Sequence, residues 1–274
     1  MDKKLLFIVN PRAGRTKSFA PLFDAVACFS KAGYLVKVFL TEGRGDATRA
    51  AAELGGAYDL VVCAGGDGTF NEALTGLYGY ANAAVGCLPF GSGNDFLRTF
   101  GTKEEFLDLD AQLAGGPVSI DLMQTSLGLS ATICAAGLDA QVAYGIPKFR
   151  RIPLCGGEMA YVLSIVEQLC GHIGRRVEYT IDGETLDVDC LMCAICNGRT
   201  YGGGFYAAPE GTARRWLAGC IYHPQGEPRD HCKLLGMYKS GKHFQNGQLV
   251  RAAEPYFIYR RAKQVSLRAA DGRG

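Results

Sequence analysis

The chain has 274 residues, of which 48% are apolar and 20% are charged, and its formal net charge is +2. This composition is that of an ordinary globular protein and excludes a disordered chain. The small net charge argues against nucleic acid as a partner. No apolar run approaches the ~18 residues that a membrane-spanning helix needs, and the run at residues 5–9 is too short for a secretory signal core. The sequence therefore predicts a cytoplasmic protein.

The first part of the chain alternates strand-like and helix-like segments. Strands are predicted at 5–10, 34–40, 60–64 and 83–88, and helices at 19–32, 46–54, 71–77 and 94–100. Gly33 suits the end of the first helix, and Asp46 is predicted to cap the second. Repeated strand–helix units predict a parallel sheet covered on both faces, with ligands bound beyond the carboxyl ends of its strands.

The alternation of strands and helices ends at about residue 117. Strands are predicted at 118–124, 131–134, 176–181, 185–196, 255–259 and 264–268, with Asp182 and Gly183 as a hairpin turn. One helix at 158–169 interrupts them, and its apolar residues at helical spacing predict a stripe that faces the core: Met159, Val162, Leu163, Val166 and Leu169. Successive strands predict an antiparallel β-sandwich. We therefore expect an α/β domain at 1–117 and a β-sandwich domain at 118–274.

Two residue clusters outside these patterns can be interpreted as structural or as functional. Residues 148–154 mix three basic and three apolar side chains, which suits a solvated loop or a patch that contacts an anionic membrane. The eleven cysteines are scattered, and without an export signal they are predicted to be buried thiols. Cys190, Cys193 and Cys196 have zinc-like spacing, but strand alternation puts Cys193 on the opposite face, so no metal site is predicted there.

The strongest motif is the nine-residue string at 64–72, which follows a predicted strand and opens a helix. Its paired glycines, Gly65 and Gly66, let the backbone turn sharply, so that N–H groups approach an anion closely. The helix N-terminus adds partial positive charge. The string therefore predicts a phosphate site, with Asp67 close to the phosphates and their metal.

Two further turns are predicted to lie at the same edge of the sheet. Residues 88–98 again run from a strand through a glycine turn into a helix start, and Asn94 or Asp95 is predicted to cap that helix. Residues 10–14 form a turn after the first strand, which is a weak signal alone because Asn-Pro and Gly are common in turns. Because neighbouring parallel strands end at one edge, all three turns are expected to converge on one cleft.

Together these strings resemble the diacylglycerol kinase catalytic family, which includes bacterial lipid kinases and the sphingosine and ceramide kinases. The resemblance extends along almost the whole chain and includes the segments 45–47, 121–122, 136–140, 202–204, 208–209 and 241–243. It implies a Rossmann-like, phosphofructokinase-like ATP-binding domain followed by a β-sandwich lipid-binding domain. It also implies transfer of the ATP γ-phosphate, with Mg²⁺ as cofactor, to a hydroxyl of a membrane lipid, diacylglycerol by default. Contact with the membrane is expected to be peripheral, and a homodimer is left open.

The resemblance also assigns roles to individual residues of this chain. The nucleotide is expected to contact Asn10, Pro11, Arg12, Ala13, Gly14, Thr41, Gly65, Gly66, Asp67, Gly68, Thr69, Asn71, Glu72 and Ser92. The lipid is expected to contact Gly93, Asn94, Asp95 and Arg98. The catalytic carboxylates are expected to be Asp67 and Asp271.

Two segments depart from the family pattern. Where the family has an acidic string that forms a structural Mg²⁺ site, this chain has Ala213 to Cys220 with two arginines, so that metal site is expected to be absent. Two compensating frame shifts that affect residues from about 213 to 230 are one possible origin, and a divergent loop is the other. After the strand at 264–268 the Asp-Gly-Glu turn of the family is only partly matched at Asp271, which predicts a truncated C-terminus and impaired catalysis.

Three functional interpretations follow from these observations. The first is an active lipid kinase. The second is a catalytically impaired remnant that still binds nucleotide or lipid, which the two departures favour. The third is a relative of NAD kinase or phosphofructokinase, which share a Gly-Gly-Asp loop but lack the strings at 91–96 and 10–14 in this arrangement.

Overall fold

A computed structural model of the chain describes residues 3–14, 20–80, 84–126, 128–152, 155, 157–169, 175–181, 183–209, 217–222, 236–242, 260–261 and 265–269. The chain forms two compact units, Met1–Thr132 and Ile133–Gly274. The division comes later in the chain than the boundary predicted at residue 117, because a hairpin after that point is bonded to a helix of the first unit. Among the described residues, no helix is both long enough and apolar enough to cross a membrane.

The first unit is built on a four-stranded parallel sheet. Its alternating elements are β1 Lys3–Val9, α1 Ala20–Lys31, β2 Tyr34–Leu40, α2 Asp46–Leu54, β3 Leu60–Gly65, α3 Asp67–Leu77 and β4 Val85–Pro89. The strand order is β2-β1-β3-β4 and every pair is parallel, which confirms the predicted α/β class. The chain winds from β1 to β2 in one direction and from β3 to β4 in the other. The topological switch point therefore lies between the carboxyl ends of β1 and β3.

The centre of this sheet is buried, as its continuous apolar sequence demands. The side chains from Leu5 to Val9 in β1 and from Val61 to Ala64 in β3 are all buried. Phe29 of α1 packs edge-on against Phe7, with 5.9 Å between the ring centroids. The sheet is therefore a packed support for the turns at its carboxyl edge.

The cap of α2 and the first residue of α3 differ from the prediction. Gly45, with a φ of 87°, precedes α2, and Asp46 is the first helical residue rather than the cap. The Asp46 carboxylate instead accepts hydrogen bonds from the backbone N–H groups of Glu42 and Gly43, at 2.8 and 2.9 Å. Helix α3 begins at Asp67, so the helix includes part of the glycine string that was expected to form a loop.

The segment after β4 also differs from the prediction. The expected helix at 94–100 is only a 3-10 turn at Leu97–Thr99 that no side chain caps, because Asn94 has a left-handed φ of 54° and cannot belong to an α-helix. Two short helices absent from the prediction follow, α4 Lys103–Leu107 and α5 Leu109–Ala114. The unit ends with the hairpin of β5 Met123–Thr125 and β6 Gly128–Ser130.

The second unit combines antiparallel strands with two helices. Its elements are β7 Ile133–Gly137, α6 Leu138–Arg150, α7 Gly157–Leu169, β8 Arg175–Ile181, β9 Glu184–Cys196, β10 Leu217–Tyr222, β11 Arg260–Arg261 and β12 Val265–Ala269. The strands follow the order β11-β10-β9-β8-β12, β7 also pairs with β9, and all pairs are antiparallel. Pairing of Ile181 with Glu184 leaves a two-residue turn, as predicted for this hairpin. The strand predicted at 255–259 lies outside the described residues.

The helices of this unit correct two predictions. Helix α6 was not expected, since only one helix was predicted there. On α7, three residues of the predicted core stripe are exposed by half or more: Met159 at 56%, Val162 at 52% and Val166 at 50%. The buried residues of α7 include the small Ala160 and Ser164 and the larger Ile165. Helix α6 packs closely on Ser164, whose Oγ donates to Val142 O.

Candidate active site

The carboxyl ends of the four parallel strands form one rim of the first unit. The residues that follow β1, β2, β3 and β4 are Asn10, Thr41, Gly66 and Phe90. Backbone hydrogen bonds continue past the strand ends, since the Asn10 N–H donates to Ala64 O and the Thr41 N–H donates to Val9 O, both at 2.9 Å. The predicted turns therefore lie along one edge of the sheet, at the switch point where such sheets bind ligands.

The turn between β3 and α3 presents the start of a helix to this rim. The Phe70 N–H donates to Gly66 O at 3.0 Å, which closes the first helical turn. The N–H groups of residues 67–69 have no partner within the helix, and they lie at the positive end of its dipole. A Cβ added at Gly68 would have no neighbour within 4 Å. The helix start therefore has the donors and the space that an anionic group requires.

Asn10 links the first turn to this helix start. Its Nδ2 donates to Thr69 Oγ1 at 3.1 Å, and its Oδ1 accepts from the Arg12 N–H at 3.0 Å. Thr69 lies directly over Gly65, where an added Cβ would come within 2.5 Å of Thr69 Oγ1. The structure therefore brings together four predicted residues, Asn10, Arg12, Gly65 and Thr69, from two strand ends.

The two glycine turns touch each other through their backbones. The Gly91 N–H donates to Gly65 O at 2.8 Å, and the Phe90 N–H donates to the same oxygen at 2.9 Å. A Cβ on Gly66 would lie 3.2 Å from the Gly91 Cα, and a Cβ on Gly91 would collide with the backbone of Gly66. The predicted convergence of these turns is therefore present, and it depends on both positions having no side chain.

Two carboxylates flank the second turn. A Cβ added at Gly93 would lie 2.9 Å from Asp67 Oδ2 and 3.2 Å from Asp95 Oδ2, so both carboxylates face the same glycine. Asp67 Oδ1 accepts a hydrogen bond from the Phe96 N–H at 3.1 Å, and Arg98 Nε lies 3.7 Å from Asp95 Oδ1. The sequence identified each aspartate, but their pairing depends on the contact between the turns. Two carboxylates beside one glycine offer oxygen ligands of the kind that a hard cation prefers.

Asn94 shapes the turn that carries the second carboxylate. Its left-handed φ of 54° is a conformation that asparagine tolerates, and its Nδ2 donates to Gly91 O at 2.7 Å. Within the described part of the chain, its buried Oδ1 has no hydrogen-bond donor. This oxygen lies 4.0 Å from the Cβ position of Gly66, so an unsatisfied acceptor faces the β3–α3 turn.

The other predicted site residues differ in their hydrogen bonds and in their exposure to solvent. Both ends of the Asn71 amide are used structurally, because Nδ2 donates to Leu129 O at 3.0 Å and Oδ1 accepts from the Ala131 N–H at 2.8 Å. Glu72 is half-buried on α3. The exposed members of the predicted set are Pro11, Arg12, Gly14, Gly68, Ser92 and Arg98. Asp271 lies outside the described residues, so its catalytic role stays a prediction.

A third glycine motif, in the second unit, has a structural role. Gly202, Gly203 and Gly204 have φ values of 62°, 84° and 110° and form the turn from Tyr201 to Phe205. A Cβ on Gly202 would lie 2.7 Å from the Tyr161 hydroxyl. Positive φ and close aromatic packing therefore account for this string without a ligand.

A carboxylate in the same unit is desolvated among these aromatic residues. Removal from water raises the pKa of Asp139 to about 7, although a hydrogen bond from Tyr201 acts in the opposite direction. The rings of Tyr201 and Tyr238 pack 6.1 Å apart, and burial raises the pKa of both hydroxyls well above their usual value. The segment at 136–140 that resembles the family thus contains a carboxyl group that is half-buried by surface area but largely desolvated.

Comparisons with known proteins agree with these two units. Residues 4–125 match the diacylglycerol kinase catalytic domain, and residues 132–272 match the YegS C-terminal NAD kinase beta sandwich-like domain. The chain is 27% identical over 273 residues to a diacylglycerol kinase of Bacillus subtilis (strain 168), which covers 98% of this chain and 87% of the relative. It is 26% identical over 272 residues to a diacylglycerol kinase of Staphylococcus aureus (strain MRSA252), which covers 97% and 82%.

A solved structure supports the same fold. The crystal structure of a putative diacylglycerol kinase from Bacillus anthracis str. Sterne superposes with a TM-score of 0.75 at 21% identity and covers 98% of this chain and 86% of that one. The second unit is therefore a β-sandwich-like domain, as the sequence predicted. With both domain matches in chain order, the chain belongs to the diacylglycerol kinase catalytic domain family.

Proposed function

We propose that this protein is an ATP-dependent lipid kinase that phosphorylates diacylglycerol to phosphatidic acid. The observation that carries the proposal is the backbone contact between the Gly65–Gly66 and Gly91 turns, which sets a helix start beside two carboxylates. The family and the names of the relatives support phosphoryl transfer to a lipid. The nucleotide and the lipid acceptor belong to our proposal.

The helix start of α3 is the part of the rim that suits the phosphates of ATP. The N–H groups of residues 67–69 offer donors at the positive end of a helix of 11 residues. The open space at Gly68 admits a bulky anion. Asn10 and Thr69 fix the neighbouring turn through their mutual hydrogen bond, so the donors are held in place before the nucleotide arrives.

The paired carboxylates suit a magnesium ion. Asp67 and Asp95 provide hard oxygen ligands, which Mg²⁺ prefers, and the unsatisfied Asn94 oxygen is a further oxygen on the same turn. When bound, Mg²⁺ would offset the charge of the phosphates. In the reaction, the lipid hydroxyl oxygen forms a bond to the γ-phosphorus while the bond to the bridging oxygen of ADP breaks. The hydroxyl proton passes to a carboxylate, for which Asp271 is our prediction from the family.

Incubation of the purified chain with labelled ATP, Mg²⁺ and mixed micelles of different acceptors tests the proposal. The lipid acceptors are diacylglycerol, sphingosine, ceramide and phosphatidylglycerol. NAD is added as a soluble acceptor, which tests the alternative NAD kinase activity. We expect label in phosphatidic acid. Label in NAD alone would contradict a lipid kinase.

A catalytically impaired remnant is the second candidate, because residues 213–220 lack the acidic string of the family. Of this region the structure describes Leu217–Tyr222, which forms β10 and pairs with β9. Titration of the chain with ATP and Mg²⁺, read by calorimetry, separates the two candidates. ATP binding without transfer to any acceptor identifies the remnant, whereas transfer to diacylglycerol identifies the enzyme.

A further inference from the structure

The first two turns of α3 are bonded to three other segments of the first unit through side chains. Asp67 accepts a hydrogen bond from the Phe96 N–H, and Thr69 accepts one from Asn10, and both bonds lie at the rim of the sheet. The third connection is made by Asn71, and it leads to the hairpin of β5 and β6. Helix α3 therefore supports segments that are far apart in the chain.

The Asn71 side chain holds the hairpin at two points. Its Nδ2 donates to Leu129 O at 3.0 Å, and its Oδ1 accepts from the Ala131 N–H at 2.8 Å. Leu129 lies in β6, and the fully buried Ala131 follows that strand directly. Since both ends of one amide are bonded to the same backbone segment, the side chain fixes the position of that segment on α3. These two bonds are called the Asn71–hairpin contact below.

Breaking the Asn71–hairpin contact is unfavourable unless α3 itself moves. A rotation of the Asn71 side chain alone would take from the buried Ala131 N–H the acceptor that Asn71 provides, which costs free energy. The helix backbone is held at the same residue, because Thr75 Oγ1 donates to Asn71 O at 2.7 Å. We therefore expect the Ala131 N–H to be released when the start of α3 loosens, so that its exchange with solvent reports the state of this helix start.

The same helix start is the proposed place of the ATP phosphates. Phosphate oxygens that accept from the N–H groups of residues 67–69 would stabilise the first turn of α3. A ligand that binds only when this turn is ordered favours the ordered state, and by linkage the ordered state favours binding of the ligand. Asn71 begins the second turn of the same helix. The phosphate site and the hairpin therefore act on one element.

We propose that Asn71 is a positioning residue that links phosphate binding at the start of α3 to the order of residues 129–131, after which the chain enters the second unit at Ile133. The inference rests on the proposed function, because it concerns the regulation of the same site. The family resemblance makes the second unit the lipid-binding domain, so the contact holds the attachment of that domain in place while the nucleotide is bound. This role needs no contact between Asn71 and the nucleotide.

Hydrogen exchange of backbone amides, followed by NMR on the whole chain, tests the link directly. With ATP and Mg²⁺ at about 100 times the dissociation constant, we expect the Ala131 amide to exchange at least about tenfold more slowly. The Ala111 amide, which donates to Asp108 Oδ1 at 3.0 Å, is the control and should exchange at an unchanged rate. Unchanged exchange of Ala131 would overturn the proposal. Faster exchange would also overturn it, since the nucleotide would then draw Asn71 away from the hairpin.

Asn71→Ala removes both bonds of the Asn71–hairpin contact. We expect the ATP dissociation constant to rise about fivefold to tenfold, at the lower end of typical coupling between two sites. The effect of ATP on Ala131 exchange should disappear, whereas Asn71→Asp, which keeps an acceptor for this N–H, should retain part of it. In the kinase assay KM for ATP should rise with little change in kcat, because the contact acts on phosphate binding and not on the reacting atoms. A parent-like ATP dissociation constant in Asn71→Ala would overturn the proposal.

Gln112→Ala is the matched control. Gln112 is half-buried like Asn71, and its Nε2 donates to two backbone oxygens of the same unit, Cys87 O at 3.2 Å and Phe106 O, neither of which belongs to α3. This variant should lose a similar amount of stability in urea unfolding and keep the parent ATP affinity. Equal weakening of ATP binding in Gln112→Ala and Asn71→Ala would reduce the role of Asn71 to general stability and would overturn the proposal.

The outcomes separate this inference from the proposed kinase activity. If ATP slows Ala131 exchange only when Asn71 is present, and no lipid acceptor is phosphorylated, the link stands while the kinase activity fails. If diacylglycerol is phosphorylated and Asn71→Ala keeps the parent KM for ATP, the kinase activity stands while the link fails. A calorimetric titration that shows no ATP binding at millimolar concentration would overturn both.

Discussion

The carboxylates of the two units show opposite uses of the same chemical group. In the first unit, Asp67 and Asp95 lie together at a turn, where a backbone N–H and an arginine accompany them. In the second unit, Asp139 is removed from water among tyrosines, and its pKa rises to about 7. The first arrangement presents carboxylate oxygens at a rim where a ligand can bind, and the second disfavours charge on a desolvated carboxyl group.

The glycines of the two units differ in the same way. Gly66 and Gly91 let two backbones touch at the rim of the sheet, whereas Gly202 provides a positive φ beside an aromatic ring. A glycine string is therefore informative about ligands only together with the groups that surround it. Five substitutions test the differences between the carboxylates and between the glycines of the two units.

The largest effect is expected for Asp67→Asn. Loss of this carboxylate removes a proposed Mg²⁺ ligand, and we expect kcat/KM for lipid phosphorylation to fall about 10²–10⁴-fold. Asp95→Asn should lower kcat/KM by a similar factor, since both carboxylates face Gly93. Glu53→Gln, which removes an exposed carboxylate from α2, is the control and should keep parent activity. Parent-like activity in both aspartate variants would separate the carboxylate pair from catalysis.

The next effect concerns Asp139 and pH. Its pKa of about 7 in the folded protein lies above the 3.8 of an ordinary aspartate, so the folded state keeps a proton that the unfolded state releases. This raised pKa costs no stability below about pH 4, and its cost grows until the pH passes about 7. At about 1.4 kcal/mol per pH unit, the cost approaches ~4 kcal/mol at pH 8. Asp139→Asn should therefore be more stable than the parent at pH 8 and similar at pH 4, as measured by urea unfolding.

Asp187→Asn is the control for this pH dependence. The Arg176 guanidinium holds the pKa of Asp187 below its usual value through a hydrogen bond. The pH dependence of stability is therefore opposite to that of Asp139. The Asp187–Arg176 pair stabilises the protein above the ordinary pKa of aspartate, and this contribution is lost as the pH falls through the lowered pKa. A variant of Asp139 with the same pH dependence as the parent would contradict a desolvated carboxyl group there.

A smaller loss is expected for Gly91→Ala. The added Cβ collides with backbone at Gly66, so the turns must separate, at a cost of about 1–3 kcal/mol in unfolding free energy. ATP affinity should fall as well, because the α3 start depends on this contact. Gly116→Ala, whose Cβ would have no neighbour within 4 Å, should change neither quantity. Chemical unfolding and calorimetric titration measure the two effects, and unchanged ATP affinity in Gly91→Ala would show that the contact between the turns is not needed.

The smallest effect is expected for Gly202→Ala. Its φ of 62° and its nearness to the Tyr161 hydroxyl should cost about 1 kcal/mol in stability. ATP affinity should stay at the parent value, because this turn is structural. If Gly202→Ala weakened ATP binding as much as Gly91→Ala, the contrast between the two glycine motifs would be lost.

Local patterns predicted much of the first unit. Continuous apolar runs ended by turn residues identified all four strands, and β2 and α2 have the predicted bounds. The predicted helix at 94–100 was wrong because Asn94 has a left-handed φ, held by its side-chain bond to Gly91 O, and this conformation cannot belong to an α-helix. A nucleotide contact of Asn71 stays a prediction, but the sequence could not show that its amide is bonded to Leu129 O and to the Ala131 N–H, 58 and 60 positions away.

In the second unit, local sequence patterns predicted less of the structure. Helical spacing correctly showed that α7 has an apolar face, but it could not show which face the protein core would cover. The packing decided this, since Gly145 allows α6 to approach the small residues Ala160 and Ser164. Helix α6 was missed because Gly145 and Pro147 interrupt its pattern.

The sequence alone determined the order of elements, the parallel sheet and the three turns at its carboxyl edge, because these depend on neighbours within a few residues. It also determined the family, because the motifs occur in order along the chain. The tertiary structure alone decided that Asp67 and Asp95 face one glycine, that Asp139 is desolvated and that Met159, Val162 and Val166 of α7 are exposed. These properties depend on which distant segments meet, since close contact and exclusion of water are set by packing rather than by local spacing.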